Sequence, residues 1–323
     1  MTMLAIQIEL PLSKSLLNRA MIAIAGQGNL KTWLEKNSHI VANGCRDTQL
    51  LINALTDKNQ SGLHSYFFQD AGTPCRLFTA FVAANFTAPC EIAGNDSLNS
   101  RSIEPLVTAL NSMGSDISYS DRAGFTPISI KGGIKEWSDV RVSAAVSSQF
   151  ASALLLIAPL FKGNKNLIIT DNSHSQAYIK MTIDLMNRMG IETVSAAVGA
   201  EIHITIKGEY QSSNKILPAD RLESDWSSAA FFYPLLLGMP KNATIELLGL
   251  KMDNSLGNLD LEITDLNKHS SQGDAALCTL GTHLGIETRE TDSGILISRY
   301  PTTIDIPLHF SENEEILKQD NSL

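Results

Sequence analysis

The stretch MNRMGIET at residues 186–193, together with IHITIKG at residues 202–208, carries the pattern that decides the fold. Its first part has the apolar spacing of an amphipathic helix and reaches Gly190, a residue type that commonly ends helices. Its second part alternates apolar and polar residues, which is typical of a strand with one buried face. The stretch therefore predicts a helix followed by a β-hairpin.

The same pattern occurs at two other places in the chain. LNSMGSDI at residues 110–117 precedes PISIKG at residues 127–132, and LGTHLGIET at residues 280–288 precedes GILIS at residues 294–298. These intervals suit a supersecondary unit of about six elements. We therefore expect an α/β protein that is built from repeated units.

Three further segments are apolar nearly all round, which predicts buried helices. Each is entered through Ser, Thr or Gly, and they cover residues 75–84, 149–158 and 227–237. Helix capping explains each hydroxyl taken singly. Taken together, they predict that three helix N-termini lie around a bound anion, because their free N–H groups and dipoles favour negative charge.

The composition excludes several classes of protein. The chain has 323 residues, of which 43% are hydrophobic, and this excludes general disorder, collagen-like repeats and coiled coils. A net charge of −9 argues against nucleic acid or an anionic membrane as a partner. The four cysteines are scattered without metal-ligand spacing, and neither a signal peptide nor an apolar stretch long enough for a bilayer is found. We expect a soluble cytoplasmic protein with reduced thiols and no metal.

The segment PLSKSLLNR at residues 11–19 concentrates cations and hydroxyls directly after an apolar, strand-like start. Lys14 supplies a point charge for a phosphate or carboxylate, and Arg19 supplies a planar fork for bidentate contact. On a helix that begins near Ser13, Ser15 and Arg19 face the same way. A capped surface helix with solvated charges is the alternative interpretation.

Other motifs combine small, hydroxyl-bearing and cationic residues. In DAGTPCR at residues 70–76, Gly72 permits close approach of the backbone to a ligand, and Arg76 lies one turn into the following helix. Arg101 is a lone cation before an otherwise apolar helix. The remaining motifs are VSSQ at residues 146–149, SHSQAY at residues 173–178 and ESDWSS at residues 223–228.

Taken in order, these motifs resemble the 5-enolpyruvylshikimate-3-phosphate synthases, the enolpyruvyl transferases of the shikimate pathway, which makes chorismate for aromatic amino-acid biosynthesis. The resemblance runs from about residue 4 to about residue 308. The family's motifs P-x-S-K-S-x-x-N-R, N-A-G-T-x-x-R, V-S-S-Q-F, S-x-x-Y-I-x-x-T and D-x-S-S-A correspond to residues 11–19, 70–76, 146–150, 175–182 and 225–229.

The resemblance implies a two-lobed prism of repeated βαβαββ units. Mapped onto this chain, it predicts a complete three-unit lobe at residues 13–221 and an incomplete lobe from residues 1–12 and 222–323. The family's later P-D, K-E-T-D-R and H-R motifs do not occur, and residues 311–323 form a polar tail, so the chain is shorter than its family at this end. In the incomplete lobe we expect uncovered apolar side chains at Phe231, Leu235 and Leu236.

The resemblance also implies a reaction and a set of site residues. The 5-hydroxyl of shikimate 3-phosphate attacks C2 of phosphoenolpyruvate while C3 is protonated, and the tetrahedral intermediate then loses phosphate. No metal or organic cofactor is implied, and we expect a monomer. The resemblance assigns Lys14 to catalysis and to both substrates, and Asp225 to the hinge between the lobes as its acidic residue. The other residues that it assigns to shikimate 3-phosphate are Ser15, Arg19, Ser147, Ser148, Gln149, Ser175 and Tyr178. Those that it assigns to phosphoenolpyruvate are Gly72, Arg101 and Gln149.

One departure from the family pattern lies inside the site. Asp70 stands where the family usually has Asn, and we expect its carboxylate to weaken phosphoenolpyruvate binding unless it is paired.

Three alternative functions have less support. A remnant that binds shikimate 3-phosphate without turnover is the main one. The sister enolpyruvyl transferase that acts on a UDP-sugar has a K-N-A-type opening and a loop Cys that are not matched here. RNA terminal-phosphate cyclase shares the repeat architecture, but it expects a late catalytic His, and the acidic charge and the S-K-S opening argue against it.

Overall fold

The computed structural model describes residues 5–38, 40, 44–57, 64–137, 139–171, 176–211, 222–239, 244–248, 250 and 270–299. Among these residues the chain divides into two compact units. The larger unit comprises the described residues of Pro11–Asp225, and the smaller unit combines the described residues up to Leu10 with those from Trp226 to Arg299. Ser175 and the polar tail at residues 311–323 lie outside the described residues.

The described elements alternate between strands and helices. The strands are β1 (Ala5–Glu9), β2 (His64–Phe67), β3 (Cys90–Ala93), β4 (Asp116–Tyr119), β5 (Ile128–Gly132), β6 (Val140–Ser143), β7 (Lys165–Thr170), β8 (Glu192–Val198), β9 (Glu201–Lys207), β10 (Thr244–Leu248), β11 (Ile286–Glu290) and β12 (Gly294–Arg299). The α-helices are α1 (Lys14–Gly26), α2 (Leu30–Lys36), α3 (Arg46–Thr56), α4 (Gly72–Ala84), α5 (Asp96–Asn99), α6 (Glu104–Ser112), α7 (Gln149–Ile157), α8 (Gln176–Arg188), α9 (Trp226–Ala230), α10 (Phe232–Leu237) and α11 (Leu277–His283).

The larger unit contains two sheets with one topology. Their strand orders are β2-β3-β5-β4 and β6-β7-β9-β8, and in each the first two strands are parallel while the last two form an antiparallel hairpin. Helix α4 connects β2 to β3, and α7 connects β6 to β7, as parallel neighbours require a crossover. The repeated α/β unit predicted from the sequence is therefore confirmed.

Residues 186–193 and 202–208 form the last helix turn and the hairpin of the second sheet. Helix α8 ends at Arg188, and Gly190 follows with a φ of +85°, a backbone conformation in which glycine has no Cβ penalty. Strand β9 then alternates buried isoleucines with less buried residues and pairs with β8 from Glu192↔Lys207 to Val198↔Glu201. The predicted helix and hairpin are both present.

The core of the larger unit forms around three helices that pack on one another, α1, α4 and α7. Eight of the nine residues of α7 are buried, which agrees with its apolar sequence on all sides. Before β2, the described residues from Lys14 form helices and their connections. The three complete units expected at residues 13–221 thus stay a prediction, since two sheets are described there and residue 221 lies outside the described part.

The smaller unit repeats the topology, with the strand order β1-β10-β12-β11. Strand β1 is parallel to β10, and β12 is antiparallel to both β10 and β11. Trp226, Tyr233 and Leu236 are buried in its core, whereas Phe231 is 77% exposed and Leu235 is 53% exposed. The expected exposure is therefore found at two positions, but it is wrong for Leu236, because that side chain faces the sheet core.

No helix among the described residues is long and apolar enough to cross a membrane.

Helix α8 buries one carboxylate, that of Asp184. Burial raises the pKa of Asp184 to about 6, and the charges of Lys180 and Arg188 act in the opposite direction. Its Oδ1 atom has no hydrogen-bond partner within the described ranges. The folded state therefore holds this proton more tightly than the unfolded state, so the contribution of Asp184 to stability falls as the pH rises through this pKa.

We predict that Leu236→Ala lowers the free energy of unfolding of the smaller unit by about 2–5 kcal/mol, because it leaves a cavity in a closed core. Leu235→Ala is the matched control and should change stability by about 0.5 kcal/mol at most, since its side chain is half exposed. Hydrogen exchange of the β10 and β12 amides measures both. Equal losses in the two variants would contradict the assigned faces of α10.

We predict that Asp184→Asn raises the free energy of unfolding by about 1–3 kcal/mol at neutral pH, because it removes a buried charge. The gain should shrink as the pH is lowered below about 6 and the wild-type carboxyl takes up its proton. Urea unfolding at two pH values tests this, with Asp116→Asn on the exposed face of β4 as the control. A gain that does not depend on pH would show that ionisation is not its cause.

Candidate functional site

The N-terminal halves of α1 and α4 both contact the first turn of α7 within the larger unit. Arg76 of α4 donates from Nη1 to Oε1 of Gln149, the first residue of α7, at 2.7 Å. Arg19 of α1 donates from Nη2 to Oγ of Ser152, also on α7, at 3.1 Å. The N-terminal halves of α1 and α4 are therefore both hydrogen-bonded to the first turn of α7, and free N–H groups and dipoles at helix N-termini favour negative charge.

The sequence predicts that residues 227–237 join the helices that begin near residues 75 and 149, and this stays a prediction. These residues form α9 and α10, which belong to the smaller unit, and there Ser227 donates to Oδ2 of Asp274 at 2.5 Å. Within the larger unit the third helix is α1, whose start at Lys14 follows the N-cap residue Ser13.

Arg19 is almost completely buried and is held by three helices. Its Nε donates to Oγ1 of Thr182 at 2.8 Å, and its Nη1 donates to the carbonyl of Ser15 at 2.9 Å. Its Cζ lies 5.6 Å from the ring centroid of Tyr178, in a cation–π contact. Burial lowers the pKa of Arg19 to about 10, so the guanidinium remains charged at neutral pH.

Lys14 is half exposed at the first position of α1. Its Nζ lies 3.4 Å from Oδ2 of Asp47, the second residue of α3. The next residue of α3, Thr48, donates to Oδ1 of the buried Asn18 at 2.9 Å. Helix α3 therefore fixes both the charged and the buried side of the first turn of α1.

Gly72, Arg76 and Arg101 form a compact cationic cluster. A Cβ atom on Gly72 would lie 3.4 Å from Nη1 of Arg76 and 3.5 Å from Nη1 of Arg101. Burial and the nearby charge of Arg101 both lower the pKa of Arg76. Arg76 is buried, and its Nη2 also donates to the carbonyl of Ser102 at 3.2 Å. Two guanidinium charges beside a residue without a Cβ at a helix start suit an anion with several oxygens.

Asp70 does not stand unpaired beside this cluster. Its Oδ1 accepts from Nη2 of Arg46, the first residue of α3. Asp70 is therefore paired, and the weakening of phosphoenolpyruvate binding was expected only for an unpaired carboxylate at this position.

The start of α7 presents hydroxyls that have different roles. Ser147 Oγ accepts from the backbone N–H of Gln149 at 3.2 Å, so it satisfies a helix-start donor. Ser148 is the N-cap residue, yet its side chain makes no capping hydrogen bond, although it is buried. The capping explanation thus applies to Ser147 and does not apply to Ser148.

The other predicted site residues are placed as follows. Tyr178 is partly exposed beside Arg19 on α8. The backbone N–H of Asp225 donates to the carbonyl of Pro11 at 2.9 Å, at the end of the larger unit. Its role as a hinge acid stays a prediction, and so does the role of Ser175.

Sequence reasoning missed Ser152 and Thr182, which anchor Arg19. A signal was present, because Ser152 is a polar residue in an apolar helix and Thr182 lies one helical turn after Tyr178. Arg76 was noted in its motif but given no role, and its bond to Gln149 joins the two groups of predicted residues.

Among the described residues, no group of three or more His, Cys, Asp or Glu side chains could hold a metal ion.

The chain is similar to one family of proteins by sequence. The sequence model of the family described as EPSP synthase (3-phosphoshikimate 1-carboxyvinyltransferase) matches residues 46–309. A 3-phosphoshikimate 1-carboxyvinyltransferase of Bacteroides fragilis (strain ATCC 25285) is 32% identical over 300 residues, which cover 92% of this chain and 64% of that relative. The protein of the same name from Pseudoalteromonas translucida is 38% identical over 168 residues, which cover 51% of this chain and 38% of that relative.

Among solved structures, an EPSP synthase from Acinetobacter baumannii aligns over 94% of this chain and 84% of its own, with 14% identity and a TM-score of 0.42. The chain spans 64% of the length of the Bacteroides fragilis relative, which is less than two thirds.

We predict that Thr182→Val lowers the free energy of unfolding of the larger unit by about 1–3 kcal/mol, because the buried charge of Arg19 loses an acceptor. Thr205→Val is the matched control, since Thr205 donates to Asn166 on an exposed sheet face at 3.0 Å. Chemical denaturation measures both variants. An equal loss of unfolding free energy in Thr205→Val and Thr182→Val would show that the buried hydrogen bonds of Arg19 contribute no more to stability than an exposed one.

Proposed function

The chain belongs to the EPSP synthase family, and we propose that it transfers the enolpyruvyl group of phosphoenolpyruvate to the 5-hydroxyl of shikimate 3-phosphate with release of phosphate. The observation that carries this proposal is the cluster of Gly72, Arg76 and Arg101 beside the starts of α4 and α7. Both substrates are polyanions, whereas the chain as a whole carries a net charge of −9. A local concentration of cations in an acidic protein favours a specific anionic ligand over general attraction to anions.

Shikimate 3-phosphate is assigned to the side of the site formed by α1, α7 and α8. Ser148 supports this assignment, because its hydroxyl is not used in capping. Arg19 supports it by linking α1, α7 and α8 through hydrogen bonds beside Tyr178, whose ring is partly exposed. The full set is Lys14, Ser15, Arg19, Ser147, Ser148, Gln149 and Tyr178, to which the resemblance adds Ser175.

Phosphoenolpyruvate is assigned to the side formed by Gly72 and Arg101, with Lys14 and Gln149. The lowered pKa of Arg76 reflects in part the repulsion between two neighbouring guanidinium groups. A bound anion relieves this repulsion, so the cluster favours an occupied site. The absence of a side chain at Gly72 leaves the space next to both guanidinium groups open.

The chemistry proceeds by addition and then elimination. The 5-hydroxyl oxygen bonds to C2 of phosphoenolpyruvate, its proton leaves to a base, and C3 gains a proton to become a methyl group. Phosphate then leaves from C2, and C3 loses a proton, which restores the double bond. We assign proton transfer to Lys14, because its Nζ combines exposure with a carboxylate partner at 3.4 Å.

The same proposal places the protein in aromatic amino-acid biosynthesis as a cytoplasmic monomer that works without an organic cofactor. Neither nucleic acid nor a membrane is proposed as a partner. The acidic composition supports the first point, because phosphate-rich polymers bind basic surfaces.

We predict that Arg101→Gln raises the concentration of phosphoenolpyruvate needed for half-maximal phosphate release at least tenfold, because a charge-assisted contact is lost. Binding of shikimate 3-phosphate should stay within about twofold of wild type, since Arg101 is assigned to the other substrate. A phosphate-release assay and titration calorimetry measure the two quantities on the full chain. Shikimate 3-phosphate binding without phosphate release by the wild type would support the alternative of a non-catalytic binding protein.

We predict that Ser148→Ala weakens shikimate 3-phosphate binding about three- to tenfold, because it removes a neutral hydrogen-bonding group. Its melting temperature should not change, since this hydroxyl makes no capping bond. Ser118→Ala on the exposed face of β4 is the control and should bind as the wild type does. Unchanged affinity in Ser148→Ala would remove Ser148 from the site.

A further inference from the structure

The first three residues of α3 each contact a different part of the site. Arg46 pairs with Asp70 in the turn before α4, Asp47 pairs with Lys14 at the start of α1, and Thr48 donates to the buried Asn18. Three consecutive side chains thus connect α3 to two of the helix starts that form the anion site. The pair between Arg46 and Asp70 is the one that the proposed reaction does not use.

Asp70 lies in a tight turn directly before the cationic cluster. The turn is closed by a hydrogen bond from the N–H of Ala71 to the carbonyl of Phe68 at 2.9 Å, and Gln69 has a φ of +55°. Gly72 follows two residues after Asp70, and it lies beside the guanidinium groups of Arg76 and Arg101. A carboxylate at this place is itself an anion, and it has the chemistry that these guanidinium groups bind.

We propose that Arg46 is a positioning residue that holds the Asp70 carboxylate away from the cationic cluster. With Arg46 present, the charge of Asp70 is offset by a partner on α3, and the positive charges of Arg76 and Arg101 act on the anionic substrate. Without Arg46, the carboxylate repels the substrate and competes for the same donors. The inference rests on the proposed function only for the identity of the anion.

The pair between Arg46 and Asp70 is exposed to solvent, so its effect on anion binding can be distinguished from an effect on folding. The side chain of Arg46 is 58% exposed and that of Asp70 is 43% exposed. Exposed ion pairs contribute little to stability, because water screens them and ordering two side chains costs entropy. The loss of the pair should therefore change anion affinity more than it changes the unfolding transition.

The experiment compares four variants of the full chain with the wild type: Arg46→Ala, Asp70→Asn, the double variant Arg46→Ala/Asp70→Asn, and Lys207→Ala. Lys207→Ala is the matched control, because it removes one positive charge from an exposed pair with Glu192 at the end of β9. Phosphoenolpyruvate and inorganic phosphate are titrated by calorimetry at low and high salt. The melting temperature of each variant is measured in parallel.

Arg46→Ala should weaken the binding of both anions about three- to tenfold at low salt, and the loss should shrink at high salt. The double variant should return to within about twofold of the wild type, since the carboxylate that caused the loss is gone. Asp70→Asn alone should bind at least as tightly as the wild type. Lys207→Ala should bind as the wild type does, and the melting temperatures of all variants should agree closely.

Two results would overturn the inference, and they differ in what else they affect. If the wild type binds anions and Arg46→Ala binds them equally well, or if the double variant is as weak as Arg46→Ala, the positioning role is wrong and the proposed function stands. If the wild type binds neither phosphoenolpyruvate nor phosphate, both the positioning role and the proposed function are wrong.

Discussion

The buried guanidinium of Arg19 is the constraint on which the arrangement of the larger unit depends. A charge removed from water costs several kcal/mol unless it is hydrogen-bonded. Arg19 meets this requirement with acceptors from α1, α7 and α8, namely the Ser15 carbonyl, Ser152 and Thr182. Because these acceptors lie on three helices, the helices must keep one relative position for the charge to stay satisfied.

That position also determines where the site forms. The bond from Arg19 to Ser152 joins the N-terminal halves of α1 and α7, which begin at Lys14 and Gln149. The bond from Arg76 to Gln149 brings α4 into the same arrangement. The apolar core holds the helices together, whereas the polar contacts select which ends meet. The proposed anion site thus depends on how these polar contacts position the helices.

The sequence predicted the elements better than it predicted the contacts. The helix and hairpin around Gly190 followed from local periodicity, because each position depends on neighbours a few residues away. The pairing of Arg46 with Asp70 and that of Arg76 with Gln149 join residues 24 and 73 positions apart, and no local pattern encodes them. Leu235 and Leu236 show the same limit, since a helix that is apolar all round does not reveal which side faces the sheet.

The parallel pairing of β1 with β10 has a consequence for the order of assembly. The two sheets of the larger unit form within continuous stretches, from β2 to β5 and from β6 to β9, so their contacts are comparatively local. Gln7 on β1, in contrast, contacts Glu246 on β10, 239 positions later. Closing so long a loop costs entropy that a nearly finished larger unit reduces, because its folding shortens the span between the two strands. We therefore expect the β1–β10 pair to form later than the pairs within the two sheets of the larger unit.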